Sequence, residues 1–442
     1  MNVILISIDS LRADAVSCYG SDWVRTPNLD KLAEESIVFE TAIVQTPHTI
    51  PSHASMLTGL YPFNHGLRKD VGLRMTPNAR TAFDRLRRNG HRTAAFQGNC
   101  VLGQEYGYSD WNRKGPPKPD AIGDCLEDFG DDKFFIFIHT YDLHVPYCTI
   151  VPPTSPGHEV INSLLMHERL TGRRLPSSFR NKHIPSGGEG WLRRINAVVD
   201  TLNSGDEGGF EDVRRGYAQA VEQIDQWFGQ IVSILKRLGA WDDTMLVVTA
   251  DHGDCFNEHG EMYENPHWSS VHGAFLYDDV LRVPLIMRVP GKEHGPGRVS
   301  SPVESVDIVP TVYEILDVRM DASDAGSLLP DGVSLLRVMD GEPKSHTYSE
   351  TLIRENHKVC LRSARAKLIV DVAGGKRQLF DLMADPEEST DLSQKDPFLT
   401  GEMETELGRF LVTYQKRVEE AHMDPRETAA VADRLRGFGY ID

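Results

Sequence analysis

The sequence predicts an α/β protein: a large doubly wound domain with a mostly parallel sheet, followed by a smaller C-terminal α+β subdomain. Continuous apolar runs recur, "NVILISID", "FFIFIH" and "MLVVTADHG", each ending in polar or small residues. Strands buried on both faces read this way, and sheets made of them are parallel and covered by helices. Helical patterns lie between the runs, giving strand–helix–strand alternation. After Glu342 the texture changes to "CLRSARAKLIVDVAGGKRQLFDL", antiparallel strands with "AGG" as a hairpin signal.

The first run reaches Asp9 with no basic leader and no small-residue cleavage site, so a buried strand is expected there and not a signal peptide. "TPNLDKLAEES" reads as a helix with Thr26 at the N-cap, Pro27 at the first helical position, and Leu29 and Leu32 on one face. From Glu211 to Leu238, Val213, Tyr217, Ala220, Val221, Ile224, Phe228, Ile231, Leu235 and Leu238 keep a three-to-four spacing, which makes a long amphipathic helix. "LGAWDDTMLVVTADHG" is its stop and the next strand. Between them, about 151–209 is rich in Pro, Ser and Gly around a short amphipathic piece, "GWLRRINAVVDTL". It reads as a long surface excursion of the kind that shapes substrate access. The expected boundaries are 1–344 for the catalytic domain and 345–442 for the subdomain, which closes on a helical segment.

Composition narrows the function classes. The 442 residues are 40% hydrophobic and 25% charged, a soluble globular balance. No apolar run approaches the roughly 20 residues that span a bilayer, so no membrane insertion is expected. A formal charge of −18 argues against nucleic-acid binding, which needs clustered Lys and Arg. The six cysteines form no CxxC pair and no zinc-finger spacing with His, so reduced thiols and a cytoplasmic location are expected.

Three strand ends carry groups that can do chemistry. The first ends at Asp9, the central one leads into His139, Asp142 and His144, and a later one ends at Asp251 and His252. Ligands of open α/β sheets bind outside the carboxyl ends of the strands, so these groups can converge. A single strand-end Asp merely caps the next turn; several at several strand ends suit a divalent cation. Thr49, in "TPHTIPSHASMLTG", precedes a helix expected to begin near Ser52 or His53. On spacing alone it is either a helix cap or a nucleophile activated by a metal at an anion-binding helix end.

The ordered set "NVILISIDSLRAD", "CYG", "TPNLDKLAEESIVF", "TIPSHASMLTGLYP", "DLHVPY", "TADHGD", "LRVPLIMRVPG", "SVDIVPTVYEIL", "QLFDLMADPEESTDLS" and "LRGFGYID" resembles the sulfatase family of the alkaline phosphatase superfamily, over nearly the whole chain except 151–209. The resemblance implies an alkaline-phosphatase/sulfatase-like α/β domain with a smaller C-terminal subdomain. It also implies a hydrolase of sulfate, phosphate or phosphonate esters that works at one divalent metal ion: Mn, Zn, Ca or Mg. Onto this chain it carries a metal set of Asp9, Thr49, Asp251 and His252. It further implies His144 as a ligand of the ester or its leaving oxygen, and His272 at a position usually Lys or His. Either could protonate the leaving group. A second metal near Asp142, His144, His267 and His272 is an open alternative.

The chain also departs from that family. Thr49 stands at the place of the Cys or Ser that matures to formylglycine, and His53 at the place of an anion-binding Arg. One of two first-strand aspartates is replaced by Ser10. The Lys and His that usually follow the next strand are absent from "TAAFQGNCVLG", and His252 stands where sulfatases often carry Asn or Gln. A formylglycine hydrate releases sulfate by elimination through a second hydroxyl; threonine has one, so its ester must be broken by attack on the central atom. For phosphorus that is metal-stabilised in-line displacement. The expected function is therefore a metal-dependent hydrolase that cleaves a phosphate mono- or diester of a small molecule or glycan through Thr49, with His53 binding the anion. The alternatives are a true sulfatase on a sulfated small molecule or glycan, a phosphoryl-alcohol transferase, and a non-catalytic binding scaffold. Other histidines, such as His48, His65, His91 and His294, are expected to be solvated or locally bonded. Ser52 and Ser55 are expected to line the helix, and Cys255 has no spacing that supports catalysis.

Overall fold

The computed structural model describes residues 1–69, 73–97, 111–114, 117–145, 147, 207–260, 271–291, 295–318, 326–353, 356–415 and 421–422. In chain order the strands are β1 Asn2–Ile8, β2 Ile37–Ile43, β3 Leu73–Arg74, β4 Arg92–Gln97, β5 Trp111–Lys114, β6 Phe134–Thr140, β7 Thr244–Ala250, β8 Arg282–Arg288, β9 Gly297–Val299, β10 Val303–Glu304, β11 Thr347–Ile353, β12 Asn356–Arg362, β13 Ala366–Asp371, β14 Arg377–Asp381 and β15 Ala421–His422. The helices are α1 Pro27–Glu34, α2 Thr49–Thr58, α3 Pro62–His65, α4 Ala82–Arg88, α5 Pro119–Phe129, α6 Glu207–Arg237, α7 Asp278–Leu281, α8 Ile308–Ile315, α9 Leu335–Met339 and α10 Pro397–Tyr414.

The large sheet runs β10-β2-β8-β7-β1-β6-β4-β5, with β9 beside β2. β8 is antiparallel to β2 and β7, while the other pairs are parallel. Every residue of β6 and β7 is buried, as the unbroken apolar runs require when helices cover both faces. The register pairs Ile8 with both Thr140 and Ala250, so the three central strands stop level with one another. That common edge brings Asp9 and Asp251, one residue past their strands, side by side.

The long helix α6 starts about a turn earlier than the periodicity suggests, and its apolar stripe from Val213 to Leu235 is buried. Thr26 stands at the N-cap of α1 without bonding the helix; Asp225 of α6 takes the N–H groups of Asn28 and Leu29 instead. The antiparallel sheet β11-β12-β13-β14 holds a second core of Tyr61, Tyr348, Leu361, Leu368 and Leu379 beneath α10. The hairpin at "AGG" joins β13 and β14, with Gly375 at φ 68° supplying the left-handed turn. The piece "GWLRRINAVVDTL" lies outside the described residues. Among the described cysteines, Cys18, Cys125, Cys255 and Cys360 are free. No helix of the described residues is long and apolar enough to cross a membrane.

Candidate metal and catalytic centre

Helix α2 begins at Thr49 itself, one turn before Ser52, with His48 at its N-cap. Pro51 falls in the first turn, where no backbone donor is needed, and the ladder opens with Ser52 N–H donating to His48 O at 2.9 Å. All ten residues of the helix are buried. Its C-terminus is closed by Gly59 at φ 72°, where a Cβ would stand 2.9 Å from Pro330 Cβ. This packing drives the first turn of α2 against the level strand ends. Ser52 Oγ donates to Asp251 O at 2.6 Å, which locks the helix to the strand-end loop.

Ser10 clamps the two carboxylates. Its hydroxyl donates to Asp9 Oδ1 at 2.9 Å and its N–H to Asp251 Oδ1 at 3.2 Å, and it sits at φ 58°, a strained place for a residue with a side chain. His252 N–H also donates to Asp251 Oδ1, at 3.0 Å. Asp251 Oδ2 is left buried without a hydrogen-bond partner. Asp9, Asp251 and His252 offer ligand atoms within 4.8 Å of one another. His252 Nδ1 bonds Gly253 O at 3.0 Å, which assigns the proton to Nδ1 and turns the Nε2 lone pair inward. That nitrogen lies 3.3 Å from Thr49 Oγ1 and 3.6 Å from Asp251 Oδ2.

These residues fit a divalent cation. Metal–ligand bonds of about 2.1 Å give neighbouring ligand atoms roughly 3.0–3.4 Å apart, close to the separations here. Among the described residues no Lys or Arg contacts Asp9 or Asp251, both 0% exposed, so two buried carboxylates lack a cationic side chain. Two carboxylates, an imidazole and an alcohol also form a chemically sensible donor set.

Of the expected site residues, Asp9, Thr49, Asp251 and His252 come together. His272 and His144 border them: the His272 ring lies 4.4 Å from that of His252 and 5.0 Å from that of His144. His144 Nδ1 bonds Val145 O at 2.7 Å, and burial pushes its pKa down to about 4. His53 is brought into the same cluster, but its bonds do not suit an anion site. Nδ1 bonds Thr49 O at 2.7 Å, Nε2 bonds Ser7 Oγ at 2.9 Å, and burial holds its pKa near 3. A neutral ring with both nitrogens engaged inside the protein braces the Thr49 backbone instead of replacing an arginine. Asp142 turns back to accept from Thr140 Oγ1 at 2.6 Å, and His267 lies outside the described residues.

His48 and His65 are buried and locally bonded, to Thr351 Oγ1 and Ser55 Oγ respectively. His91 is buried as well. Burial pushes the Cys255 thiol well up, consistent with an inert sulfur.

Two residues join that the family motifs did not assign, and of these His139 was already marked as a strand-end group. His139, paired in register with Ser7, sets Nε2 3.2 Å from Asp9 Oδ2. Asp254 bonds His272 Nδ1 through Oδ1 and accepts from Tyr147 OH at Oδ2. Burial pushes the Asp254 carboxyl well above its usual range and the His272 imidazole well below its own, each toward its uncharged form. The available signals were that His139 ends a strand next to β1 and that Asp254 follows a strand-end pair by two residues. His252, Asp254 and His272 form a second ligand-like group. His252 has no nitrogen to spare for another ion, since Nδ1 is bonded to Gly253 and Nε2 faces Thr49.

Residues 1–318 match the family model described as Sulfatase. The chain is 23% identical to the N-acetylglucosamine-6-O-sulfatase of Bacteroides thetaiotaomicron, over 97% of this chain and 88% of that protein. It is 25% identical to the multifunctional alkaline phosphatase superfamily protein PehA of Trinickia caryophylli, over 89% and 91%. Its fold is similar to the crystal structure of a phosphonate monoester hydrolase of Agrobacterium radiobacter, with a TM-score of 0.70, 19% identity, and 93% and 96% of the two chains covered.

Proposed function

The chain belongs to the sulfatase family, hydrolases of sulfuric or phosphoric esters, and from that premise we propose that it cleaves a phosphate-type mono- or diester through nucleophilic Thr49. The observation that carries the proposal is the 3.3 Å approach of Thr49 Oγ1 to His252 Nε2 beside the unpartnered Asp251 Oδ2. Sulfatase-family enzymes bind a divalent metal ion. In this chain Asp9, Thr49, Asp251 and His252 would hold it, and it would supply a Lewis acid that acidifies the threonine hydroxyl and neutralises charge on the ester.

The chain's own residues do the remaining work. His53 and Ser52 fix the first turn of α2, so the hydroxyl of Thr49 is presented without a rotamer search. His139 and Ser10 orient Asp9. His144 meets the ester or its leaving oxygen. Because a threonine ester cannot eliminate its acyl-like group as a formylglycine hydrate can, water must attack the central atom, and that favours phosphorus.

A sulfuric ester of a glycan or small molecule is the second reading, favoured by the sulfatases among the relatives. Turnover of 4-nitrophenyl phosphate, bis(4-nitrophenyl) phosphate and 4-nitrophenyl sulfate, each with Mn, Zn, Mg or Ca, separates the two. The phosphate reading expects phosphate esters to lead, with Thr49→Ala at least about 1,000-fold slower and Thr49→Ser partly active. A sulfate preference would promote the second reading, and a fully active Thr49→Ala would remove both.

A further inference from the structure

We propose that Cys255, Glu258 and Asp279 form a second cation site, of the zinc type, that ties the loop after β7 to α7. It is separate from the centre at Thr49 and does not depend on the ester chemistry read there.

The ligand atoms are already gathered. Cys255 Sγ, one Glu258 oxygen and one Asp279 oxygen lie within 4.8 Å of one another. Cys255 is 2% exposed and the Asp279 side chain 8%, whereas the Glu258 side chain is 29% exposed and leaves a way in from solvent. The loop "CFNEH" keeps the gathering local. Asn257 at φ 72° turns the chain back, Gly260 N–H donates to Asn257 O at 3.2 Å, and Cys255 N–H donates to Val271 O at 2.6 Å.

Asp279 is the residue that points to an ion. Among the described residues, both of its oxygens are buried without a hydrogen-bond partner. The carboxylates beside it are satisfied. Glu258 accepts from Arg12 Nη1 and from Phe256 N–H, each at 2.5 Å, and Asp14 accepts from Arg12 Nε and Nη2 at 2.9 Å. Arg12 is thereby committed elsewhere. His259 Nε2 stands 3.5 Å from Asp279 Oδ2, with its ring stacked on Tyr277 at 3.7 Å between centroids, a placement that orients the carboxylate from outside. A buried carboxylate without a donor is costly, and a cation between it and Cys255 removes that cost.

The donor set selects the metal. Zn–S bonds of about 2.3 Å and Zn–O bonds of about 2.1 Å in a tetrahedron set ligand atoms roughly 3.4–3.6 Å apart, so a closure of about 1 Å completes the site, with water as the fourth ligand. A sulfur ligand favours zinc over Mg, Ca or Mn. Without an ion the thiol keeps its proton; as the sulfur–metal bond forms, that proton leaves to solvent.

Cobalt reads this site by itself, because the centre at Thr49 contains no sulfur. Co2+ is added to the full-length protein under a phosphine reductant, and the near-ultraviolet sulfur-to-cobalt charge-transfer band is followed. In wild type the band should appear. In Asp251→Asn, which disables the other centre, it should saturate at one cobalt per chain and be erased by one zinc. Cys255→Ala should show no band. Asp279→Asn keeps shape and sulfur, and should bind cobalt at least about 100-fold more weakly, since even an outer partner of a metal ligand is worth about 10- to 100-fold. That variant decides the matter if the cysteine variant does not fold. No band in wild type, a band retained in Cys255→Ala, or unchanged affinity in Asp279→Asn overturns the site.

Discussion

Asp251→Asn isolates the electrostatics of the centre. The substitution keeps the side chain's shape and can keep the acceptor for Ser10 and His252 N–H at 3.2 and 3.0 Å, while it removes the charge behind the unpartnered Oδ2. Asp9 and Asp251 offer oxygens within 4.8 Å of each other. Two unit charges at that separation repel by about 3.5 kcal/mol at an effective dielectric near 20. Relaxation and water entry reduce this, so without metal the variant should be more stable than wild type by about 2 kcal/mol. With metal the order reverses. Wild type gains about 2.7 kcal/mol at a hundred times its dissociation constant, and the variant gains far less. Urea denaturation in EDTA and in saturating Mn, Zn, Mg or Ca, with metal content measured on the same samples, tests the crossing. A variant less stable than wild type in EDTA, or an equal gain for both on adding metal, would refute the assignment of Asp251 to a cation.

Two further outcomes follow from the buried histidines. His53→Arg, which restores the residue the family resemblance would place there, should destabilise the fold by about 3 kcal/mol or more, because a guanidinium enters a site closed by Ser7, His139 and Phe137. KM for esters should not fall; unchanged stability with a lower KM would return the anion role to position 53. His65 is held near pKa 3 by burial, with Nδ1 accepting from Leu67 N–H at 3.1 Å and Nε2 bonded to Ser55 Oγ at 3.0 Å. Its folded pKa lies below the unfolded value of about 6.5, so as pH falls the unfolded chain takes the proton first. Stability is thereby lost at about 1.4 kcal/mol per pH unit between pH 6 and pH 4. His65→Asn should flatten the measured slope by that amount; an unchanged slope would show that the ring titrates normally.

Much of the architecture was legible because its signals are local. Strands β1, β6 and β7 announce themselves as unbroken apolar runs, since a strand covered on both faces has no polar side. The stripe of α6 follows from 3.6-residue periodicity alone, although its first turn, beginning at Glu207, carries no apolar stripe to mark it. Asp9, Asp251 and His252 were marked by their strand-end positions, while Thr49 joined them only through the family resemblance. The start of α2 was placed a turn late, because Pro51 looks like a breaker in sequence yet is harmless where no donor is required. His53 was misjudged for a related reason: its neighbours in sequence say nothing about Ser7, which closes its second nitrogen from a separation of 46 residues.

The sequence by itself determined the layered α/β body and the acids at the strand ends, because backbone periodicity and strand termini are written in adjacent residues, and its ordered motifs carried the family resemblance. Tertiary structure alone decided how each polar side chain is partnered. Ser10 reaches Asp251 across 241 positions, and Asp254 meets Tyr147 across 107. Such contacts depend on the register of β1 between β6 and β7 and on loops packed too tightly for a side chain. A hydrogen bond is set by angstrom-scale placement, and no local pattern of residues encodes that.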